Sequence, residues 1–351
     1  MAARQGVGDS VGMAAIPSPE PPRADVDALT RAEARLRGVP EALLRRRSTV
    51  RRDPGIYAPP GHEITAWDVV AALARAIPGS AINGLSAARH HGFRLPRHLQ
   101  EDETPHLNTP PLRSPVRRRG LRSTQYAYAA SDLTRTPEGL AVTTPERTLY
   151  EMSLRLGHED LVAAGDGILN THADGYDAGR PPLCTPEDLR RYLRAHRGAR
   201  GIRAFDRAVA RMRPGSDSRP ETFLRLACED HGIDGLVPGF AVRNTRGMLL
   251  FQADLALPRL RLSIQYEGAH HDRPEQVRRD VERARRTAEA GWVEVRITAA
   301  DLREAVWCAG SRMPRAVAII LRAIRDHDAA ATPNDAESSI STENRRISGR
   351  K

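Results

Sequence analysis

The sequence predicts a multidomain protein of mixed α+β and α/β class. Three observations predict it. The chain of 351 residues is long enough for two or three domains. Its beginning shows the pattern of a winged helix-turn-helix, and the part after Pro220 follows the order α-β-β-β-α-β, which builds a mixed sheet flanked by helices. A mixed α/β region lies between them, and Pro and Gly near residues 213–220 mark a domain boundary.

We expect the chain to consist of five segments. Residues 1–23 and the tail 329–351 are expected to be disordered, because neither can bury enough apolar surface to offset its ordering entropy. Residues 24–62 are expected to form the winged helix-turn-helix, residues 63–213 the mixed α/β middle region and residues 218–328 the C-terminal domain.

The N-terminal run DALTRAEARLRGVPEALLRRR predicts two short helices. Thr30 suits the cap of the first helix, Gly38 the turn, and Pro40 the first position of the second helix. The run STVRRDPGIYA then shows two short β-runs around a turn signal. A winged helix places its second helix in a DNA major groove; the alternative is an arginine-rich helical hairpin that packs on its neighbour. The arginines placed for phosphate contacts are Arg45, Arg46, Arg47, Arg51 and Arg52.

The composition limits the classes of partner. The formal net charge of +10 favours a polyanion. Lys351 is the only lysine among 54 basic residues, so the arginine bias also fits GC-rich coding, as in actinobacteria. No apolar run has the length of a membrane span, so we expect no membrane partner. Cys184, Cys228 and Cys308 lie far apart in the sequence, which favours a reducing cytoplasm over a disulfide scaffold.

Polar side chains gather at one end of a predicted hairpin, in the run DLALPRLRLSIQYEGAHH. Side chains two residues apart on a strand share a face, so Gln265 and Glu267 lie together, and the partner strand can bring Asp254 beside them. Oxygen donors arranged in this way suit Mg²⁺, which takes one or two carboxylates from a protein and keeps several waters. Glu221, at the start of the preceding predicted helix, can complete the shell.

Two histidines, His270 and His271, follow this cluster directly. A bound cation can activate water and stabilise charge on a phosphate, and either histidine can transfer a proton near neutral pH. In the alternative interpretation, the acids stand at the end of a sheet and form ion pairs with arginines such as Arg279 or Arg296.

The runs ET-x2-RL, AD-L-x2-P, IQYEG-x-HH, RRD-x2-R and GWVEVRITAADL together resemble the very-short-patch-repair-endonuclease-like domains of the PD-(D/E)XK nuclease fold, over about residues 218–305. The resemblance implies a restriction-endonuclease-like core and a Mg²⁺- or Mn²⁺-dependent DNA endonuclease or nickase. It puts Asp254 and Glu267 at the metal ligands, with Gln265 in the acidic pair, Glu221 as the helix acid and His271 as the histidine. The basic helix that would face the phosphates carries Arg278, Arg279 and Arg283.

The sequence departs from the pattern of that fold at two positions. Gln265 stands where the fold has an acid, and Glu267 stands where it has a lysine. A neutral ligand binds a metal more weakly than a carboxylate does, so these departures give more weight to the histidines in any catalysis.

Residues 25–165 resemble, more loosely, the winged-helix domain and following region of AbiEi-type antitoxins. This resemblance implies a cognate toxin system as a partner. It also supports an alternative function, a non-catalytic DNA-binding regulator with a degenerate nuclease-fold domain. Charge alone does not separate DNA from RNA as the target.

Several further elements are predicted. The runs GFAVRN, LLFQADLAL, LRLSIQYEG and WVEVRIT read as strands, and AADLREAVWC and PRAVAIILRAI as closing helices. Trp307 and Cys308 are expected to pack in the first of these helices, whereas Trp292 and Tyr266 are expected to be buried in the core. His90 and His91 have no acidic neighbours in sequence and are expected to be surface or interhelix residues.

Overall fold

The computed structural model is of mixed α/β class, as predicted, with several separate sheets. It divides into two compact units, Met1–Met152 and Ser153–Lys351. The boundary expected near residues 213–220 lies inside the second unit. The structure describes residues 28–44, 55–58, 62–111, 116–171, 179, 181–244, 246–268 and 285–331.

The start of the first unit contains the two predicted short helices. The first is held by a capping box, in which the Thr30 side chain accepts from the Glu33 backbone N–H and the Glu33 carboxylate accepts from the Thr30 N–H. The second predicted β-run pairs with residues that precede the first helix, whereas the first β-run lies outside the described residues. These elements are β1 (Leu29–Thr30), α1 (Arg31–Leu36), α2 (Glu41–Leu44) and β2 (Ile56–Tyr57).

The rest of the first unit is a five-stranded sheet with helices, in the strand order β5-β4-β3-β7-β6. His90 and His91, expected to be surface or interhelix residues, both make contacts within this unit: His90 stacks on Trp67, and His91 Nε2 lies 2.7 Å from the carbonyl oxygen of Thr143. Its elements are α3 (Ala66–Ala76), β3 (Ala81–Ile82), α4 (Gly84–His90), α5 (Arg97–Gln100), β4 (His106–Asn108), β5 (Arg122–Thr124), β6 (Leu133–Arg135), β7 (Ala141–Thr143) and α6 (Pro145–Met152).

The second unit combines helices with a four-stranded mixed sheet in the order β11-β10-β9-β8. Strand β9 is antiparallel to both β8 and β10, and β11 is parallel to β10. The four predicted strands are therefore present, and residues 285–289 just before β11 are helical. Its elements are α7 (His158–Leu169), α8 (Pro186–Ala195), α9 (Ile202–Arg211), α10 (Arg219–Asp230), β8 (Val237–Arg243), β9 (Leu249–Leu257), β10 (Leu262–Glu267), β11 (Val293–Thr298), α11 (Ala299–Arg303), β12 (Ala305–Cys308), β13 (Ser311–Pro314) and α12 (Arg315–Ala331).

One face of this sheet forms the core of the second unit. Ile264 lies opposite Leu255 on β9 and Val295 on β11, and all three side chains are buried in one apolar cluster. Helices α10 and α12 contribute Leu224 and Ile320 to the same cluster. Side chains alternate along a strand, so the polar positions of β9, β10 and β11 lie on the opposite face.

The prediction of a helix through AADLREAVWC is wrong in its second half. Helix α11 ends at Arg303, and the following residues form an antiparallel hairpin of β12 and β13. The reason is local: the alternation in AVWC suits a strand, and the next two residues, Ala309 and Gly310, both adopt the left-handed backbone of a tight hairpin turn. Trp307 is therefore exposed on the hairpin instead of packed in a helix, and Cys308 is half-buried.

The two aromatic residues predicted in the core are only partly buried. Trp292 packs against Phe240 and Phe251, and Tyr266 packs at the border of the main cluster of the second unit. No helix within the described part of the chain is long and apolar enough to cross a bilayer.

Candidate functional site

Three of the predicted site residues share the polar face of the second sheet. Asp254 stands on β9, and Gln265 and Glu267 stand on the neighbouring β10. Their neighbours Leu255 and Ile264 are paired in register and point into the core, so these three polar side chains lie on the opposite face. The hairpin geometry predicted from the sequence is thus present.

Glu221 lies in the first turn of α10, close to these residues. The helix starts two residues before Glu221, and Ser218 caps it by accepting from the Glu221 backbone N–H. The Glu221 side chain is buried, and its Oε2 accepts a 2.7 Å hydrogen bond from the Asp217 backbone N–H. Burial, together with the nearby negative charge of Asp254, raises the pKa of Glu221 to about 8. The fold therefore brings two acids from a helix and a strand into electrostatic contact.

The position of the Asp254 carboxylate is set by the neighbouring strand. Its Oδ2 accepts a 2.7 Å hydrogen bond from the Tyr266 backbone N–H. The backbone pairing of β9 with β10 begins at Leu257 opposite Leu262 and ends at Leu255 opposite Ile264. The hydrogen bond of the Asp254 side chain therefore links the two strands just beyond the last backbone pair. Asp254 is held at the point where the two strands separate, beside Gln265.

Gln265 is almost completely buried, with 4% of its surface exposed. Its Nε2 donates to the carbonyl oxygen of Gln252, at 3.0 Å. Because the amide nitrogen is used within the sheet, the oxygen Oε1 is the atom of this side chain suited to a cation.

Glu267 is held by an arginine of the adjacent strand. Arg296 NH1 lies 3.0 Å from Glu267 Oε1, and the Nε of the same arginine lies 2.7 Å from Glu294 Oε1. The ion pair with Arg296, one of the two alternatives for the acids, is therefore present for Glu267. Asp254, in contrast, accepts a hydrogen bond from the Tyr266 backbone N–H.

Several predicted site residues lie outside the described part of the chain: His270, His271, Arg278, Arg279, Arg283, Arg45, Arg46, Arg47, Arg51 and Arg52. Within the described part, no group of three or more His, Cys, Asp or Glu side chains is placed to hold a metal ion. The described donors are the carboxylates of Glu221 and Asp254 and the amide of Gln265. Oxygen donors of this kind are those that Mg²⁺ prefers, whereas the usual Zn²⁺ sites include nitrogen or sulfur ligands.

A buried network behind the site was not predicted from the sequence. Arg225 on α10 is fully buried, and its NH2 lies 2.8 Å from Asp166 Oδ2 on α7. Thr222 Oγ1 donates to the same oxygen, and the Arg213 backbone N–H donates to Asp166 Oδ1. Thr222 and Arg225 belong to the motif ET-x2-RL that also contains Glu221. The sequence feature that could have predicted this network is a threonine and an arginine three residues apart on an otherwise apolar helix face.

A cleft of about 430 Å³ borders the site. Asp217 and Gln252 line it, and these two residues also contact Glu221 and Gln265 through their backbones. Two glycines form a narrow part of its wall: a methyl group at Gly215 would lie 2.5 Å from the Pro238 carbonyl oxygen. The cleft thus lies next to the candidate site, whereas the side chains of Glu221, Asp254 and Gln265 are not part of its lining.

Comparison with known proteins shows distant relatives. Two curated proteins are 26% identical to the chain over 166 residues, which is 47% of this chain and 57% of each relative. They are "Uncharacterized protein MT2308" and "Uncharacterized protein Rv2248", from Mycobacterium tuberculosis strains CDC 1551 / Oshkosh and ATCC 25618 / H37Rv. The chain therefore spans just over half the length of these relatives. No protein-family model matches the chain, and no solved structure matches it significantly.

Proposed function

We propose that the second unit is a Mg²⁺-dependent phosphodiesterase that cuts or nicks DNA. The observation that supports this most is the pair of Glu221 and Asp254, in which burial and the neighbouring charge raise the pKa of Glu221 to about 8. Two carboxylates brought together in a buried place repel each other, which lowers stability. Such an arrangement is typical of a functional site, and a divalent cation would remove the repulsion.

In this proposal, Glu221 and Asp254 hold the ion, and Gln265 supplies a neutral oxygen. Glu267 joins them only when it leaves Arg296. When bound, Mg²⁺ supplies charge stabilisation at a phosphate and a water of lowered pKa. The hydrogen bond from the Tyr266 N–H keeps the Asp254 carboxylate in place, and the proton transfer proposed for His271 rests on the sequence alone.

We further propose that the start of the first unit binds the DNA as a winged helix. The two short helices α1 and α2 and the strand pair β1–β2 are compatible with such a fold. The phosphate contacts would come from Arg45, Arg46, Arg47, Arg51 and Arg52, which the sequence places directly after α2.

A second candidate function is a DNA-binding regulator without catalysis, of the antitoxin type. The observation that favours it is the ion pair of Glu267 with Arg296, because an arginine at this point occupies one predicted metal ligand. In that case the acidic site is a remnant, and a toxin partner would act through other surfaces.

Metal-dependent relaxation of a supercoiled plasmid separates the two candidates. The full chain is incubated with Mg²⁺ or Mn²⁺, with a chelator as the blank. The nuclease proposal expects nicked or linear plasmid from the wild type, none from Asp254→Asn or Glu221→Gln, and normal cutting by the control Asp234→Asn, an exposed acid just after α10.

DNA binding is measured on the same proteins. The regulator proposal expects no cutting by the wild type and binding that survives Asp254→Asn but weakens in Arg45→Ala/Arg46→Ala. Cutting that is equal in Asp254→Asn and wild type would contradict the proposed site.

A further inference from the structure

The hairpin of β12 and β13 carries an exposed tryptophan on its outer face. Val306 and Met313 pair across the hairpin and pack into the core of the second unit. The next pair, Trp307 and Arg312, therefore lies on the opposite face. Trp307 has 78% of its surface exposed.

This exposure is unusual for the chain. The protein has three tryptophans, and the other two are packed: Trp67 stacks on His90, and Trp292 contacts Phe240 and Phe251. Exposed apolar residues are common when they are small and isolated. An indole in water leaves a large apolar surface unburied, and such residues are enriched where a protein binds a partner.

The charge beside Trp307 indicates what kind of partner binds there. Arg312 lies directly across from Trp307 and makes no ion pair with the described residues. Arg315, three residues later, differs because it pairs with both Asp301 and Glu304. An aromatic ring next to an available guanidinium suits a nucleic acid, which presents bases for stacking and phosphates for ion pairing.

The place of the hairpin in the fold fits this partner. Strand β11 is parallel to β10, and Thr298 at the end of β11 pairs with Glu267 at the end of β10. Only the five residues of α11 and Glu304 separate Thr298 from the start of β12. The hairpin thus leaves the sheet at the edge where Glu267 stands.

We propose that Trp307 and Arg312 form a nucleic-acid contact, in which the indole stacks on an unpaired base and the guanidinium binds a neighbouring phosphate. This inference rests on the proposed function. It adds that the DNA substrate of the second unit contains an unstacked or single-stranded region. The contact holds the strand, and it takes no part in the chemical step.

The test uses the full chain, a chelator to prevent cutting, and a labelled oligonucleotide in single-stranded and duplex form. We expect Trp307→Ala to weaken binding of the single strand by about tenfold, within the range for loss of one stacked base. Trp307→Phe keeps most of the affinity, and Arg312→Ala weakens binding and lowers its salt dependence. The matched control is Met248→Ala, which removes another exposed apolar side chain of the same unit and leaves binding unchanged.

Quenching of tryptophan fluorescence by acrylamide, a neutral quencher that DNA does not repel, provides the second readout. The oligonucleotide is expected to protect the exposed tryptophan of the wild type, and this protection is absent in Trp307→Phe. Normal binding by Trp307→Ala, with an unprotected indole, overturns the inference and leaves the proposed nuclease intact. Protection of Trp307 without any metal-dependent cutting supports the contact and contradicts the nuclease. A change of Trp307→Ala from dimer to monomer in sedimentation, with binding unchanged, would instead assign the hairpin to a second copy of the chain.

Discussion

Arg225 on α10 and Asp166 on α7 form an ion pair with a separation of 2.8 Å, and neither side chain has exposed surface. Burial raises the pKa of Asp166, although the positive charge of Arg225 acts against this shift. The pair connects the helix that carries Glu221 with α7 and, through the Arg213 N–H, with the segment that borders the cleft.

Removal of one partner of this pair is expected to destabilise the second unit strongly. Arg225→Met leaves a buried carboxylate without its counter-charge, and we expect the free energy of unfolding to fall by about 3 to 5 kcal/mol. Urea unfolding of the full chain measures this loss. The control is Arg190→Ala, which breaks an exposed pair with Glu187 and is expected to change stability by less than about 1 kcal/mol. Equal stability of both variants would contradict the structural role of Arg225.

Glu221→Gln is expected to abolish metal binding and to stabilise the protein at pH 8. The pKa of Glu221 is raised from an ordinary value of 4.5 to about 8, so the folded state binds more protons than the unfolded state between these pH values. The stability contributed by this group is therefore lost as the pH rises from about 4.5 to 8. We expect a gain on the order of 4 kcal/mol for the variant at pH 8 and almost none at pH 4.

Calorimetric titration with Mn²⁺ and thermal unfolding at the two pH values test this prediction together. Asp254→Asn serves as the partner variant, because burial is the main cause of the raised pKa of Glu221 and the Asp254 charge, which this variant removes, adds to it. A Glu221→Gln protein that still binds Mn²⁺ would show that Glu221 is not a ligand.

Arg296→Gln is expected to strengthen metal binding by about fivefold. The substitution removes a positive charge near the site and releases Glu267 from its 3.0 Å ion pair, an effect of about 1 kcal/mol for a partly exposed charge. The same titration measures it, with Arg322→Gln, an exposed arginine of α12, as the control. Weaker Mn²⁺ binding by Arg296→Gln would mean that Arg296 supports the site instead of competing with it.

Ala309→Gly is expected to stabilise the hairpin by about 1 kcal/mol. Ala309 has a φ of 50°, in the left-handed region that disfavours a side chain, and Gly310 follows with a φ of 77°. Gly310→Ala is the opposite change and is expected to destabilise. Thermal unfolding is expected to rank Ala309→Gly above the wild type and the wild type above Gly310→Ala. Any other order would argue against this turn.

His91 of the first unit is expected to make the protein less stable in acid. Burial is the main cause that lowers the pKa of His91 to about 4, while its hydrogen bond to the Thr143 carbonyl acts in the opposite direction. The unfolded chain takes up this proton near pH 6.5, so the stability from the neutral ring is present above that pH and is lost as the pH falls toward 4. We expect His91→Gln to be less stable at pH 7 and to depend less on pH, as followed by circular dichroism between pH 4 and 7.

The sequence was informative wherever structure depends on neighbouring residues. The Thr30 cap and the four strands of the second sheet follow from capping chemistry and from alternation of side chains. The common face of Asp254, Gln265 and Glu267 follows from the same alternation, since a strand has a period of two.

The hairpin at Trp307 was missed because its strands are four residues each, and a short apolar run is compatible with helix or strand. The turn at Ala309 and Gly310 decided the outcome, and an alanine is a weak signal for a left-handed turn. The buried pair of Asp166 and Arg225 was missed because its members are 59 residues apart, and nothing local connects them.

By itself, the sequence determined the four strands of the second sheet, the Thr30 cap and the set of oxygen donors available to the candidate site, because these depend on contacts within a few residues. Only the tertiary structure decided that Glu221 meets Asp254, that Arg296 holds Glu267 and that Trp307 is exposed. Those relationships join residues from different elements. Their free energies come from burial and from charged groups brought close together, and both arise only when the helices and strands pack.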